Sequence, residues 1–357
     1  MSTIAERLAT RTLELVDIPS PSRREEAIVR HVARLVPHEE LQLAWDQDDV
    51  LLYLPRSRRE GPLVLLAGHF DTVPAQGNLP GRIEDGAVVG LGASDMKGGL
   101  AVMVELARSL AASGRPGDLS LALLFFGREE LPAGESPLPR LLRKTSLHAD
   151  LVIMLEPTDN QIQLGCLGNL NAELKFTGTS AHSARPWLGE NAIARAIEGL
   201  EPLIRIEPLD VEVGGLIFRE VLSVTAIGAG VAANVIPDLA IATLNFRYAP
   251  NRTAEEAVER LRELVADAGE LTLRGHSAPA RVAVDSPLVR RLRDAGDFTV
   301  APKQAWTPVA EFSAHGLDAV NLGPGATRYA HRRDERIEID ALVMTYTALQ
   351  RFLGATV

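Results

Sequence analysis

Three runs of apolar residues each give way to a histidine or a carboxylate. Leu63 to Ala67 leads into Gly68-His69-Phe70-Asp71, Leu119 to Phe126 into Gly127-Arg128-Glu129-Glu130, and Leu151 to Leu155 into Glu156-Pro157. Runs of this length and composition read as strands buried on both faces. Ligands of open α/β sheets bind beyond the carboxyl ends of the strands, so the three polar endings point to one crevice. Asp95 follows in Gly90-Leu91-Gly92-Ala93-Ser94-Asp95, just ahead of a helix, and His331 lies in a glycine-rich loop that begins at Asn321. His69, Asp95, Glu130, Glu156 and His331 form a donor set suited to a pair of divalent ions, zinc first, with cobalt or manganese as substitutes. Two such cations outweigh the three carboxylates and leave Glu129 free for proton transfer. Asp71, two residues after His69, shares its side in an extended segment and is placed to accept from the imidazole nitrogen that a metal does not use.

Each of these residues has a plainer reading when taken alone. His69 and His331 could be structural or surface histidines, Asp71 a turn residue before Thr72-Val73-Pro74, and Glu156 an exposed strand end. Asp95 could cap the helix that follows it. A dinucleotide-binding loop is ruled out there, because Asp95 stands where the third glycine of that fingerprint belongs and would repel a pyrophosphate. Glu129-Glu130 could sit in a solvated loop, but two adjacent carboxylates leaving a buried strand are costly without a balancing cation.

The elements that must position these groups fall into two rhythms. Residues 3–16 read as a helix, with Thr3 and Glu6 at capping-box spacing and Pro19 and Pro21 ending it. A second helix over 97–112 joins the first two buried runs, which favours a parallel α/β sheet. From about 170 the order becomes strand 170–177, helix 190–204, strands 221–228 and 239–248, helix 253–268 and strand 271–274. That βαββαβ order is the ferredoxin-like arrangement. From Ser286 the first rhythm returns, with an apolar run at Ala319 to Leu322 and a closing helix at 340–353. The expected organisation is therefore 1–169 and 281–357 as one α/β catalytic domain with a smaller domain, 170–280, inserted.

Composition narrows the class of function. At 357 residues the chain exceeds what one core usually supports. Its 46% hydrophobic and 24% charged residues are those of an ordinary globular protein. A net charge of −10 with no dense basic patch opposes nucleic-acid binding. The N-terminal stretch is charged throughout, and no run nears the length of a membrane span, which points to a cytoplasmic protein with no membrane partner. One cysteine, Cys166, permits no internal disulfide.

The motifs GHFDTVP (68–74), GLGASDMKGG (90–99), GREE (127–130), LEP (155–157), AHSARPWLGENA (181–192), ANVIP (233–237), NFRYAP (245–250) and GPGATRYAHRRDE (323–335) run in order along nearly the whole chain. In them the sequence resembles the dinuclear-zinc aminoacylase and carboxypeptidase family that includes succinyl-diaminopimelate desuccinylase. AHSARPWLGENAI, FREVLSV and HRRDER are most similar to the actinobacterial form of that enzyme. The resemblance implies a zinc-peptidase-like catalytic domain with a mainly parallel sheet, and an inserted ferredoxin-like lid and dimerisation domain. It implies that Asp95 bridges two zinc ions, with His69 and Glu156 completing one site and Glu130 and His331 the other. Glu129 would be the general base and Asp71 the group behind the ligands. His182 would reach the active site of the opposite subunit of a homodimer and stabilise the oxyanion, while Asn234, Arg247 and Thr307 would contact substrate.

The implied reaction is hydrolysis of N-succinyl-LL-2,6-diaminopimelate to succinate and LL-2,6-diaminopimelate, a step toward lysine. N-acetylornithine deacetylation and cleavage of an amino acid from a peptide are other uses of the same machinery. A non-catalytic small-molecule binder is the rival from a different class, and the retention of Glu129 beside five ligands argues against it. Two departures bear on the acyl group: Cys166-Leu167 replaces an Arg pair found in many desuccinylases, and Pro308 interrupts the polar run near Thr307. The acyl carboxylate would then fall to Arg185, Arg328, Arg332 or Arg333.

Overall fold

The structure, a computed structural model, describes residues 2–57, 60–113 and 117–354. Contacts divide the chain into two compact units. One comprises Met1–Leu164, Ala283–Ala301 and Glu311–Val357, and the other Gly165–Val282 with Pro302–Ala310.

The first unit is built on an eight-stranded sheet in the order Leu41–Gln47, Val50–Pro55, Ser120–Phe126, Leu63–His69, Leu151–Met154, Ala319–Asn321, Ile162–Leu164 and Val300–Pro302. Its four middle strands, from Ser120–Phe126 to Ala319–Asn321, are parallel, as the unbroken apolar runs require. The sheet as a whole is mixed. Val50–Pro55 runs antiparallel to both its neighbours, and Ile162–Leu164 runs antiparallel to Ala319–Asn321. The hairpin Leu41–Gln47/Val50–Pro55 and the helix Glu26–Leu35 were not anticipated from the sequence.

Register then decides where the polar endings lie. His69 pairs with Phe126 and Ala67 with Met154, so Glu156 stands level with His69, and the turn Gly127–Glu130 leaves the sheet beside them. Asn321 also pairs with Met154, so the loop leading to His331 departs from the same end. The helices Ile4–Val16, Gly98–Ser113 and Ile339–Phe352 pack on one another. The first carries the expected capping box, with Thr3 and Glu6 bonding reciprocally. Gly98–Ser113 is apolar around most of its circumference and buried from Gly98 to Ala107.

The second unit holds five antiparallel strands in the order Leu209–Val213, Leu216–Ala229, Leu239–Tyr248, Gly168–Thr177 and Glu270–Ser277. Without the first of these, the order is second, third, first, fourth along the chain, which is the ferredoxin-like sheet; Leu209–Val213 adds a hairpin strand to its edge. The helices Ala192–Ile204 and Ala254–Val265 supply Leu200, Leu203, Leu261 and Val265 to a core shared with Leu170, Leu174, Phe176, Leu244 and Phe246. Every second residue of Gly168–Thr177 and Leu239–Tyr248 is buried, the period of a sheet covered on one face.

Candidate metal centre

The parallel strand ends, the loop after Ala319–Asn321 and the segment Ala93–Lys97 bring five predicted ligands together within the first unit. His69, Asp95 and Glu156 each offer a ligand atom within 4.8 Å of the others, and so do Asp95, Glu130 and His331. Asp95 belongs to both groups, and its two oxygens face different histidines. Oδ1 lies 3.2 Å from His69 Nε2 and Oδ2 lies 3.5 Å from His331 Nε2. Glu156 Oε1 is 3.9 Å from His69 Nε2, and Glu130 Oε1 is 2.9 Å from His331 Nε2. A carboxylate shared by two triads is the arrangement that places two cations side by side.

Glu129 also falls within 4.8 Å of His69 and Glu130. Its position comes from Asp71, whose Oδ1 accepts the Glu129 backbone N–H at 3.0 Å while Oδ2 accepts that of Glu130 at 3.1 Å. The Ser22 hydroxyl donates to the same Oδ2 at 2.7 Å. His69 Nδ1 lies 3.0 Å from the Asp71 backbone carbonyl and 3.5 Å from its carboxylate. The fully buried Asp71 thus steadies the imidazole and, more directly, the turn that carries Glu129 and Glu130.

Electrostatics tests whether this donor set suits cations. Burial, then the fields of Glu156, Glu130 and Asp95, push the Glu129 carboxyl well above its usual range, with His69 opposing. Burial works against a charged His69, but bonding to Asp71 and Asp95 and the fields of Glu156 and Glu129 outweigh it. The bond to Glu130, with burial opposing, carries His331 up to about 9. Crowded carboxylates that force protons onto themselves and onto both imidazoles mark a place short of positive charge, which divalent ions would supply. Imidazole and carboxylate donors match zinc and its neighbours.

His182, Asn234, Arg247 and Thr307 lie in the second unit. His182 is exposed, ends the short strand Ala181–His182, and accepts the Ala184 N–H at Nδ1, 3.1 Å away. Asn234 is exposed in the loop before Val235–Ile236. Arg247 is partly buried and donates from Nε to Asn245 Oδ1 at 2.9 Å. Thr307 is buried, and its hydroxyl has no hydrogen-bond partner among the described residues. Of the arginines offered for the acyl carboxylate, Arg332 is engaged by Asp334 at 2.8 Å, and Arg328 lies over the Tyr329 ring, 3.7 Å from Asp159.

The sequence reading missed Ser22, Lys303 and Glu335. Lys303 is 7% exposed and has no carboxylate within ion-pair distance among the described residues. Glu335 is buried and accepts three backbone N–H groups from the loop bearing Asp95. Burial lifts it to about 7 against those bonds. Its one available signal was its place four residues after His331.

The profile of peptidase family M20/M25/M40 matches residues 65–355. The chain belongs to that family. It is a metallohydrolase of the M20 type, similar over nearly its whole length to named desuccinylases. It is 39% identical to a putative succinyl-diaminopimelate desuccinylase DapE of Mycobacterium tuberculosis, covering 96% of this chain and 97% of that protein. It is 36% identical to the succinyl-diaminopimelate desuccinylase of Corynebacterium glutamicum, covering 96% and 95%. Among solved structures, the aminopeptidase PepT of Bacillus cereus superposes with a TM-score of 0.81 at 20% identity, covering 98% of each chain. The M20 family metallo-carboxypeptidase Sso-CP2 of Sulfolobus solfataricus gives 0.75 at 22%, again covering 98% of each. These structural likenesses concern the fold. No helix among the described residues is long and apolar enough to cross a membrane.

Proposed function

We propose that this M20 metallohydrolase cleaves N-succinyl-LL-2,6-diaminopimelate to succinate and LL-2,6-diaminopimelate in the cytoplasm, using two zinc ions. The observation that carries the reading is Asp95, whose two oxygens face His69 and His331 in separate triads. His69, Asp95 and Glu156 would hold one ion, and Asp95, Glu130 and His331 the other. Ions bound there would polarise the amide carbonyl and lower the pKa of the attacking water.

Glu129 takes a proton from that water as its oxygen adds to the carbonyl carbon. It holds the proton on a carboxylate oxygen and delivers it to the amide nitrogen as the C–N bond breaks, so the amine leaves neutral and succinate remains. Asp71 keeps the Glu129 turn in place through both transfers. His182, exposed on the second unit, donates to the developing oxyanion of a partner subunit's reaction.

The choice of an acidic acyl group is supported by the desuccinylase relatives and by unpaired positive charge in the second unit. Neither Arg247 nor Lys303 has a carboxylate partner among the described residues, and the fields of both act on Cys166, whose sulfur lies 3.9 Å from the Thr307 carbonyl. With the Thr307 hydroxyl and exposed Asn234, they form the set we assign to the substrate carboxylates. A relative named as a probable carboxypeptidase in Emericella nidulans is 30% identical over 96% of this chain, so peptide cleavage is the competing use. Zinc-loaded enzyme assayed on N-succinyl-LL-2,6-diaminopimelate, N-acetylornithine and a dipeptide separates them. The succinyl compound should show the highest kcat/KM, and negligible hydrolysis of it would refute the assignment.

A homodimer through the second unit is part of this proposal. Trp187, Ile197 and Ile204 are 76%, 62% and 67% exposed, and Ile197 and Ile204, seven residues apart on Ala192–Ile204, share one helix face. Leu209–Val213 pairs only with the first residues of Leu216–Ala229, so among the described residues one edge of Val221–Ala229 has no strand beside it and could take a partner's.

A further inference from the structure

Three amides of the loop that carries Asp95 converge on one buried carboxylate. Gly92 N–H donates to Glu335 Oε2 at 2.9 Å, and Ser94 and Asp95 N–H donate to Oε1 at 3.0 and 2.9 Å. The Glu335 backbone carbonyl accepts Gly90 N–H at 2.9 Å. Glu335 is 1% exposed. Among the described residues no Lys or Arg pairs with its carboxylate; Lys97, buried in the same loop region, donates instead to the Ile18 carbonyl at 2.8 Å. Gly92 adopts φ 78°, a left-handed conformation that turns its N–H and those after it toward one point. The loop is thus an anion nest, and its anion is supplied by the chain itself.

The carboxylate in the nest sits four residues after His331, and Glu335 N–H bonds back to the Arg332 carbonyl at 3.3 Å. The same junction is sealed by the Ser94 hydroxyl, which donates to the Ala326 carbonyl at 3.0 Å. One side chain therefore joins the loop presenting Asp95 to the segment presenting His331. Without it the buried Gly92 and Ser94 amides and the partly buried Asp95 amide lose their acceptor, and Asp95 loses the anchor of its own backbone.

We propose that Glu335 is a positioning residue for the metal centre, holding Asp95 where its two oxygens serve both triads at once. This rests on the reading of Asp95 as the shared ligand. Because Asp95 belongs to both triads, disturbing it weakens both metal-binding steps, whereas a general loosening of the fold lowers the stability of the metal-free chain first.

The test is calorimetric zinc titration of metal-free wild type and Glu335→Gln, with thermal unfolding of the metal-free proteins alongside. Gln keeps the volume but sets an amide N–H₂ against at least one backbone donor. Both zinc steps should weaken about 10- to 100-fold, the usual effect of losing a group that orients metal ligands, while the metal-free melting temperature falls by only a few degrees, the cost of one mismatched amide. The visible spectrum of the cobalt-loaded variant should shift as well. Asp334→Ala, which alters the exposed neighbour, should titrate like wild type. Should Glu335→Gln fail to fold, Glu335→Asp retains the charge but falls short of the nest and should show the same loss. Wild-type affinity at both steps, or a loss confined to one, overturns the proposal. Fewer than two ions bound by the wild type overturns both it and the dinuclear reading beneath it.

Discussion

For a single residue, His69, Glu130 and Glu156 were legible because they follow buried strands, whereas Asp95 and His331 lie in glycine-rich loops and gain meaning only beside them. A carboxylate after Leu151 to Leu155 or after Leu119 to Phe126 could by itself end in solvent, but several converging on one sheet end are costly without a cation. Glu335 and Ser22 left no such trace, because each works through backbone donors or a carboxylate brought near only by the fold. Glu129→Gln should keep its zinc content and lose about 10²- to 10⁴-fold in kcat, the span of general acid–base catalysis. Metal analysis and steady-state kinetics on one preparation check this, and unchanged turnover would remove Glu129 from the mechanism. Cys166 offers a separate test. Burial, opposed by bonds to the Thr307 and Ala280 backbone, pushes its thiol up to about 11. At pH 8 it should react with a disulfide reagent at least about 100-fold more slowly in the native chain than in denaturant, since the thiolate is the nucleophile.

Among the elements, apolar run length identified the parallel strands and the βαββαβ order the second sheet, whose strands the structure buries at every second residue. The hairpin Leu41–Gln47/Val50–Pro55 escaped because its outer strand is mostly exposed, buried only at Leu41, and carries little pattern. The strand Ala319–Asn321 depends on Gly323, where an added Cβ would stand 2.3 Å from the Glu156 carbonyl and 2.4 Å from that of Leu155. Gly323→Ala must therefore move the strand end that bears Glu156. We expect a loss of about 1–3 kcal/mol, the usual cost of overpacking, together with weakened zinc binding, read by denaturant melts and by titration. Thr253→Ala, which removes a capping box remote in sequence from any ligand, should cost about 1 kcal/mol and leave zinc affinity alone.

At the scale of the whole molecule, the switch from one rhythm to another near residue 170 and back after 280 marked an inserted segment. Contacts draw its limits at Gly165 and Val282 and add Pro302–Ala310 to the same unit, so Thr307 and Lys303 lie with Arg247. No linear pattern announces that a nine-residue stretch beyond the insertion packs with it. Replacing Ile197 and Ile204 together by Glu should convert a dimer to a monomer in light scattering, with turnover falling as His182 loses its partner; an unchanged mass would place the interface elsewhere. Two divalent ions held through a shared Asp95 are expected to drive hydrolysis of an N-succinyl amino acid. The decisive experiment is stepwise addition of zinc to metal-free enzyme, with release of LL-2,6-diaminopimelate followed at each step. Turnover should climb to a plateau at two ions per chain. A plateau at one would mean a single-ion centre, and no turnover at any loading would mean that this chain does not hydrolyse the succinyl compound.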